Sequence, residues 1–429
     1  MSPARLSILY VAGMPASPPR VGAQARMHGL MTQLAKHHDL TAVMLVDEKS
    51  DIEEARRAMQ AYCRDVVLVP NPLFRHGLSK RLLQLQSLAS PRSFERLNVS
   101  TPALQQELDQ VLRARRFDVV NLESTFIGHH NLRTAPPGIR SPVLVVDSHN
   151  IDYDLARQYA RAGGLMRRLY AGVNWRKLRR EELRTYRDAD GVYLCSAADQ
   201  QRLLEQVPGA RTLVIPNGAD VEYYQPRPTD PPPDGRTVVF FGLLSYFPNI
   251  DGVTYFVQEI WPRIAEVHPK ARLKIIGGQA PPSVLEFARP GAVELTGFVS
   301  DLRPHLAAAA AVVVPLRFGG GTRLKIVEAM AMGKAIVSTT LGAEGIEAVA
   351  GRDVLVEDRP ASFAEAVNRL LAEPSLAARI GQSARQLAEQ RYGWNAAARA
   401  LEGFYREILD GSSRQLPSAP AWRGSTSVA

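Results

Sequence analysis

The chain has 429 residues, 45% of them hydrophobic and 22% charged, a balance that excludes a disordered or fibrous protein and allows two or three packed domains. Its net charge is +9; with no RNA-binding signature, zinc-ligand spacing or basic tail, nucleic acid gives way to anionic ligands or an anionic membrane surface as the partner. Cys63 and Cys195 lie far apart in sequence, which excludes a disulfide framework and points to a reducing cytosol, and no apolar run reaches the roughly 18 residues of a membrane span.

Residues 6–13 read as a first buried strand, followed by a Pro-rich loop with Gly22 near its end. A helix is expected over 26–37, where Met27, Leu30, Met31 and Leu34 recur at helical spacing, and a second strand begins at Leu40. Residues 51–63 read as a helix and VVLVP as a third strand. Residues 74–96 alternate leucines with Arg and Lys and suit either a helix lying on an anionic membrane or a surface helix over the core. FDVVNL, 117–122, is the next strand and runs into Glu123.

The segment PVLVVDSHN, 142–150, passes from four apolar residues into Asp147, Ser148, His149 and Asn150. Function in open parallel sheets collects at such strand ends. His149 can hold or move a proton near neutral pH, or be structural; Asp147 would orient it or cap the next helix. Residues 161–186 form a second basic helical stretch, a membrane-docking candidate or a long helix whose Arg stems cover apolar surface. Residues 226–236, PRPTDPPPDGR, read as a linker between two domains. The second domain then opens with a strand ending at Gly242.

Residues 311–340 carry the strongest pattern. An apolar strand leads into Gly319, Gly320 and Gly321; Thr322 reads as an N-cap, RLKIVEAMAM as a helix closed by Gly333, and AIVSTT as the next strand. Glycines admit close approach of backbone N–H groups to a phosphate, and a helix N-terminus adds unpaired donors. The dipole alone is worth only about 0.3–1 kcal/mol, so Arg323 and Lys325 in the first turn would carry most of the charge. Both oppose the macrodipole, which an anionic ligand would explain. Glu328, three residues after Lys325, lies on the same face and within reach of a ribose. The alternative is a tight turn with a solvated Lys325–Glu328 pair.

The stretch GGGTRLKIVEAMAMGKAIVSTTLGAEGIE, 319–347, resembles the nucleotide-sugar site of the retaining glycosyltransferases of family 4, also called group 1. The resemblance implies the GT-B fold, two Rossmann-like doubly wound α/β domains facing across a cleft. It implies an acceptor-side domain over 1–225, the linker 226–236, a nucleotide-sugar domain over 237–392, a helix 393–410 crossing back to the first domain, and a disordered tail 411–429. In that family two glutamates separated by seven residues mark the donor site. The second matches Glu328, expected on the ribose, while the first falls at Gly320. The family often places a basic residue where Leu243 stands here, which shifts the diphosphate onto Arg323 and Lys325. His149 matches a histidine near the donor sugar, and Gly22 the glycine loop under the diphosphate.

By resemblance, then, the expected catalytic residues are His149, Lys325 and Glu328. Donor binding is expected from Gly22, Gly242, Gly319, Gly320, Gly321, Thr322, Arg323, Lys325 and Glu328. The expected reaction moves a sugar, with retention, from a nucleotide-diphosphate sugar to a glycan or lipid-linked acceptor in exopolysaccharide or cell-surface glycan synthesis. No metal or other cofactor is expected. The protein would be cytoplasmic and peripheral at the inner face of the plasma membrane, held through 74–96 and 161–186. The rival readings are a nucleotide-sugar epimerase or hydrolase of the same fold and a catalytically silent nucleotide-binding protein.

Overall fold

A computed structural model describes residues 4–47, 51–71, 78–161, 165–319 and 323–411. The chain forms two compact units: Met1–Ile215 with Ala397–Ala429, and Pro216–Ala396. The expected tail 411–429 lies outside the described residues from 412 onward.

The first unit is built on seven strands: β1 (Ser7–Ala12), β2 (Asp39–Val46), β3 (Asp65–Pro70), β4 (Val119–Glu123), β5 (Val143–Ser148), β6 (Gly191–Leu194) and β7 (Thr212–Val214). All pair in parallel, in the order β3-β2-β1-β4-β5-β6-β7. Parallel strands buried on both faces read as apolar runs, which is why SILYVA and VLVVDS stood out. The strand order reverses between β1 and β4, and β5 lies one place further on. Register aligns Ala12, Glu123, Asp147 and Tyr193 in one row across β1, β4, β5 and β6. A polar row therefore crosses the sheet near the carboxyl ends of its strands.

The second unit has six parallel strands: β8 (Thr237–Phe241), β9 (Arg272–Ile276), β10 (Val293–Gly297), β11 (Ala311–Val314), β12 (Ile336–Ser338) and β13 (Leu355–Val356). Their order is β10-β9-β8-β11-β12-β13. Alternation places Val238, Phe240, Ala311 and Val313 in one core and Val239, Phe241, Val312 and Val314 in the other. Both faces are covered, as in a doubly wound sheet. Each of these Val and Phe side chains contributes about 1.5–3 kcal/mol by burial, and Phe240→Ala would cost about 3–5 kcal/mol. The order reverses between β8 and β11, where Gly242 and the glycine loop begin.

The passage between units differs from the expected boundary. It falls at Ile215/Pro216, ahead of 226–236. Residues 216–225 are already anchored in the second unit: the Ala219 amide donates to Tyr392 O at 2.8 Å, and Gly218 lies against Trp394. The Pro-rich segment is anchored too, the Asp234 amide donating to Ala308 O at 3.1 Å. The helix Trp394–Leu409 belongs mostly to the first unit, where Phe404 and Ile408 fill the space left by the missing side chain of Gly191. Among the described residues no helix is long and apolar enough to cross a membrane.

Candidate functional site

In the second unit, β11 runs into Gly319 and then into the helix Leu324–Ala331, which is shorter than expected. Its N-cap is Arg323 rather than Thr322, so Arg323 precedes the first turn while Lys325 lies within it. Thr322 lies outside the described residues, as do Gly320 and Gly321. Gly319 has φ 122°, a backbone open to glycine, and the Arg323 guanidinium passes 3.1 Å from where a Cβ would stand. Ile326, Val327, Ala329, Met330 and Ala331 bury the helix's inner face. Gly333 ends it at φ 64°: its amide donates to Met330 O and that of Lys334 to Ala329 O, the paired bonds of a Schellman stop.

That packing delivers Lys325 across the switch point. Its ammonium donates to Asn249 Oδ1 at 2.6 Å and sits 4.5 Å from the centroid of the Phe240 ring. Gly242, at φ 146°, closes the contact, since a Cβ there would lie 3.0 Å from Lys325 Nζ. Burial, then the Arg323 charge, lowers the Lys325 pKa to about 7, against the pull of Glu328. Glu328, one turn on, accepts from the Tyr224 hydroxyl at 3.3 Å, and burial raises its pKa to about 7. Among the described residues neither forms a salt bridge, so the direct Lys325–Glu328 pair of the alternative reading is absent, and the two charges act on each other only at longer range. Among the described residues the direct hydrogen-bond partners of Lys325 and Glu328 are neutral, and the helix start beside them has no side-chain cap.

In the first unit, Gly22 is not a loop residue: it opens the helix Gly22–Leu34, which begins earlier than expected, and it is exposed. His149 meets Asp147, which is expected to orient it, and is joined by Glu123 and, through Asp147, by Arg26, neither of which the sequence assigns to it. Its Nε2 donates to Glu123 Oε2 at 3.0 Å and lies 3.3 Å from Asp147 Oδ2. The same Asp147 oxygen accepts from Arg26 Nε at 2.7 Å, and Arg26 Nη1 donates to Ile215 O at 2.9 Å. Burial alone would lower the His149 pKa; Asp147, then Glu123, outweigh it and raise the value to about 10. His149 is therefore an imidazolium at neutral pH. A further chain runs from the C-terminal helix: the Tyr405 hydroxyl donates to Asn121 Oδ1 at 2.8 Å and Asn121 Nδ2 to Glu123 Oε1 at 2.9 Å. Ligand-capable atoms of Glu123, Asp147 and His149 lie within 4.8 Å of one another. Arg26 already occupies Asp147 Oδ2 and its fixed charge opposes a cation there, while Asp147 Oδ1 is buried with no hydrogen-bond partner among the described residues. The following helix, Asp152–Arg161, starts against Glu182, whose carboxylate accepts from the Asp152 and Tyr153 amides at 3.0 and 2.8 Å.

The two basic stretches form helices Leu78–Ala89 and Leu165–Asp188. They touch through Ser87 and Tyr170, whose hydroxyls are 3.0 Å apart, and Lys177 Nζ donates to Ser87 O at 2.7 Å. Leu82 and Leu85 are each 63% exposed and Leu169 is 59% exposed, with exposed Lys80, Arg81, Arg176 and Arg180 on the same helices.

Comparison with known proteins places this architecture. Residues 21–223 match the family described as Glycosyltransferase Family 4, and residues 235–373 match Glycosyl transferases group 1. The chain belongs to this glycosyltransferase family and has the GT-B fold of two parallel-sheet domains. A curated relative, the D-inositol 3-phosphate glycosyltransferase of Streptomyces bingchenggensis, is 27% identical over 197 residues, 43% of each chain. A second, from Bacillus subtilis, is 25% identical over 51% of this chain and 60% of its own length, so the chain spans about half the length of the curated relatives it matches. Among solved structures, sucrose-phosphate synthase of Thermosynechococcus elongatus superposes with a TM-score of 0.70 at 18% identity, covering 95% of this chain and 100% of that one. Anabaena HepE in complex with UDP superposes at 0.62, with 16% identity over 94% of this chain and 100% of that one.

Proposed function

We propose that this protein transfers a sugar from a nucleoside-diphosphate sugar to a hydroxyl of a glycan or lipid-linked acceptor, with retention at the anomeric carbon. The observation that carries the reading is Lys325 held against Gly242 at the β8/β11 switch point, with Glu328 one turn behind it. Lys325, Arg323 and the helix start receive the diphosphate, and Glu328 takes the ribose hydroxyls. In transfer the bond from C1 to the β-phosphate oxygen breaks, the acceptor oxygen bonds C1, and a nucleoside diphosphate and a proton leave. Neutralisation of the departing charge by these cations, rather than by a metal, predicts turnover that survives EDTA. His149 serves as a charged donor toward sugar or acceptor. The HepE complexes with UDP and UDP-glucose make uridine nucleotides the first to try. The exposed leucines and basic residues of Leu78–Ala89 and Leu165–Asp188 suit a peripheral place on an anionic membrane, where exopolysaccharide or other cell-surface glycans are assembled.

The test is release of nucleoside diphosphate from a panel of nucleotide sugars, with and without a membrane-lipid extract as acceptor, in EDTA. Acceptor-dependent release supports transfer. Release without acceptor identifies a hydrolase, conversion of the nucleotide sugar without release an epimerase, and binding without turnover a silent nucleotide-binding protein.

A further inference from the structure

Asn249 lies in the first turn of the helix Phe247–Tyr255, a position where asparagine is a poor helix former and often serves as a local cap. Here no local cap uses it. Its side chain is 6% exposed and is committed on both sides. Nδ2 donates to Leu243 O at 2.8 Å, and Oδ1 accepts from Lys325 Nζ at 2.6 Å. The two partners fix the amide's orientation, because a flip would set NH₂ against the ammonium and oxygen against the carbonyl. Gly242 makes the junction: a Cβ there would lie 2.9 Å from Asn249 Nδ2 and 3.0 Å from Lys325 Nζ.

Resting on the donor-site reading above, we infer that Asn249 is a positioning residue for the diphosphate, bracing Lys325 against the β8 turn without neutralising it. The backbone turn after β8 offers no basic side chain, since Leu243 follows Gly242. The cation must therefore be brought from the facing helix and held in place. An amide does this and leaves the charge, and the remaining two N–H groups, for a ligand. A carboxylate at the same place would cancel the charge. The Lys325 pKa, lowered first by burial and then by the Arg323 charge, fits an ammonium whose direct hydrogen-bond partner is neutral.

Calorimetric titration of UDP, GDP, ADP and dTDP, and of the nucleoside of whichever binds, is performed on wild type, Asn249→Ala, the isosteric Asn249→Asp, Lys325→Ala and the Asn249→Ala/Lys325→Ala double variant. Asn249→Ala and Asn249→Asp should each weaken the diphosphate tenfold or more and the nucleoside less than twofold. In the Lys325→Ala background, Asn249→Ala should change nothing further. Asn249→Asp binding the diphosphate like wild type would overturn the proposal, as would parallel loss of nucleoside and diphosphate or an undiminished Asn249 effect without Lys325. Absence of nucleotide binding by wild type would instead remove the donor-site reading itself, and this inference with it.

Discussion

The two units present similar strand ends but opposite electrostatics. In the first, the charges answer one another within the protein: Arg26 and His149 share Asp147, Glu123 accepts a hydrogen bond from His149, and Glu182 fills the start of the next helix. In the second, the hydrogen-bond partners of Lys325 and Glu328 among the described residues are neutral, Asn249 and Tyr224, and the helix start is uncapped by a side chain. Internal pairing drives His149 up to about 10, while burial and the Arg323 charge draw Lys325 down to about 7. A network closed on itself holds structure and orients one imidazolium; a pair left open is a place for a ligand with its own charges.

Breaking the closed network has the largest expected cost. Arg26→Met leaves a buried carboxylate short of its main partner and should destabilise by about 3–5 kcal/mol in denaturant titration. The pH dependence sharpens the contrast. The stabilisation from His149 is complete below its unfolded value near 6.5 and is lost as pH rises through about 10. For Lys325 the sign reverses: the cost of holding its ammonium is carried in full below about pH 7 and relieved as pH rises toward 10.5. Between pH 7 and 10 the stability advantage of wild type over His149→Asn should shrink, by up to about 1.4 kcal/mol per unit, while that of Lys325→Met over wild type also shrinks. Stability curves of the three proteins at pH 7, 8 and 9 decide it. Tyr224→Phe removes one long hydrogen bond to the Glu328 carboxyl, 3.3 Å, and should cost about 0.5–1.5 kcal/mol, with the nucleotide response weakened but present.

Much of the open site was legible in sequence, because its parts are close along the chain. Gly319, Arg323, Lys325, Glu328 and the stop at Gly333 lie within one strand–helix–strand segment, and helical spacing sets their faces. The helix start was misplaced because Thr322 has the chemistry of a cap, whereas the helical backbone begins only after Arg323. The closed network was mostly illegible. Arg26 stood only as the first residue of the expected helix 26–37, yet it is buried on Asp147, 121 residues away. Glu123 was noticed only as the residue ending a strand; the β4–β5 register brings it to His149. Asn249, 76 residues from Lys325, gave no local sign of its role. The Pro-rich run 226–236 looked like a boundary by composition, but the division depends on what each residue packs against, and 216–225 already pack in the second unit.

The central claim is that Lys325 and Glu328 mark a nucleotide-sugar site, and a thermal-shift panel of nucleoside diphosphates and nucleotide sugars in EDTA, run on wild type and Glu328→Ala, tests it most directly. A ligand at about 100 times its dissociation constant should stabilise wild type by about 2.7 kcal/mol, with most of that shift gone in Glu328→Ala. A panel that leaves wild type unmoved, or moves both proteins equally, would contradict the assignment.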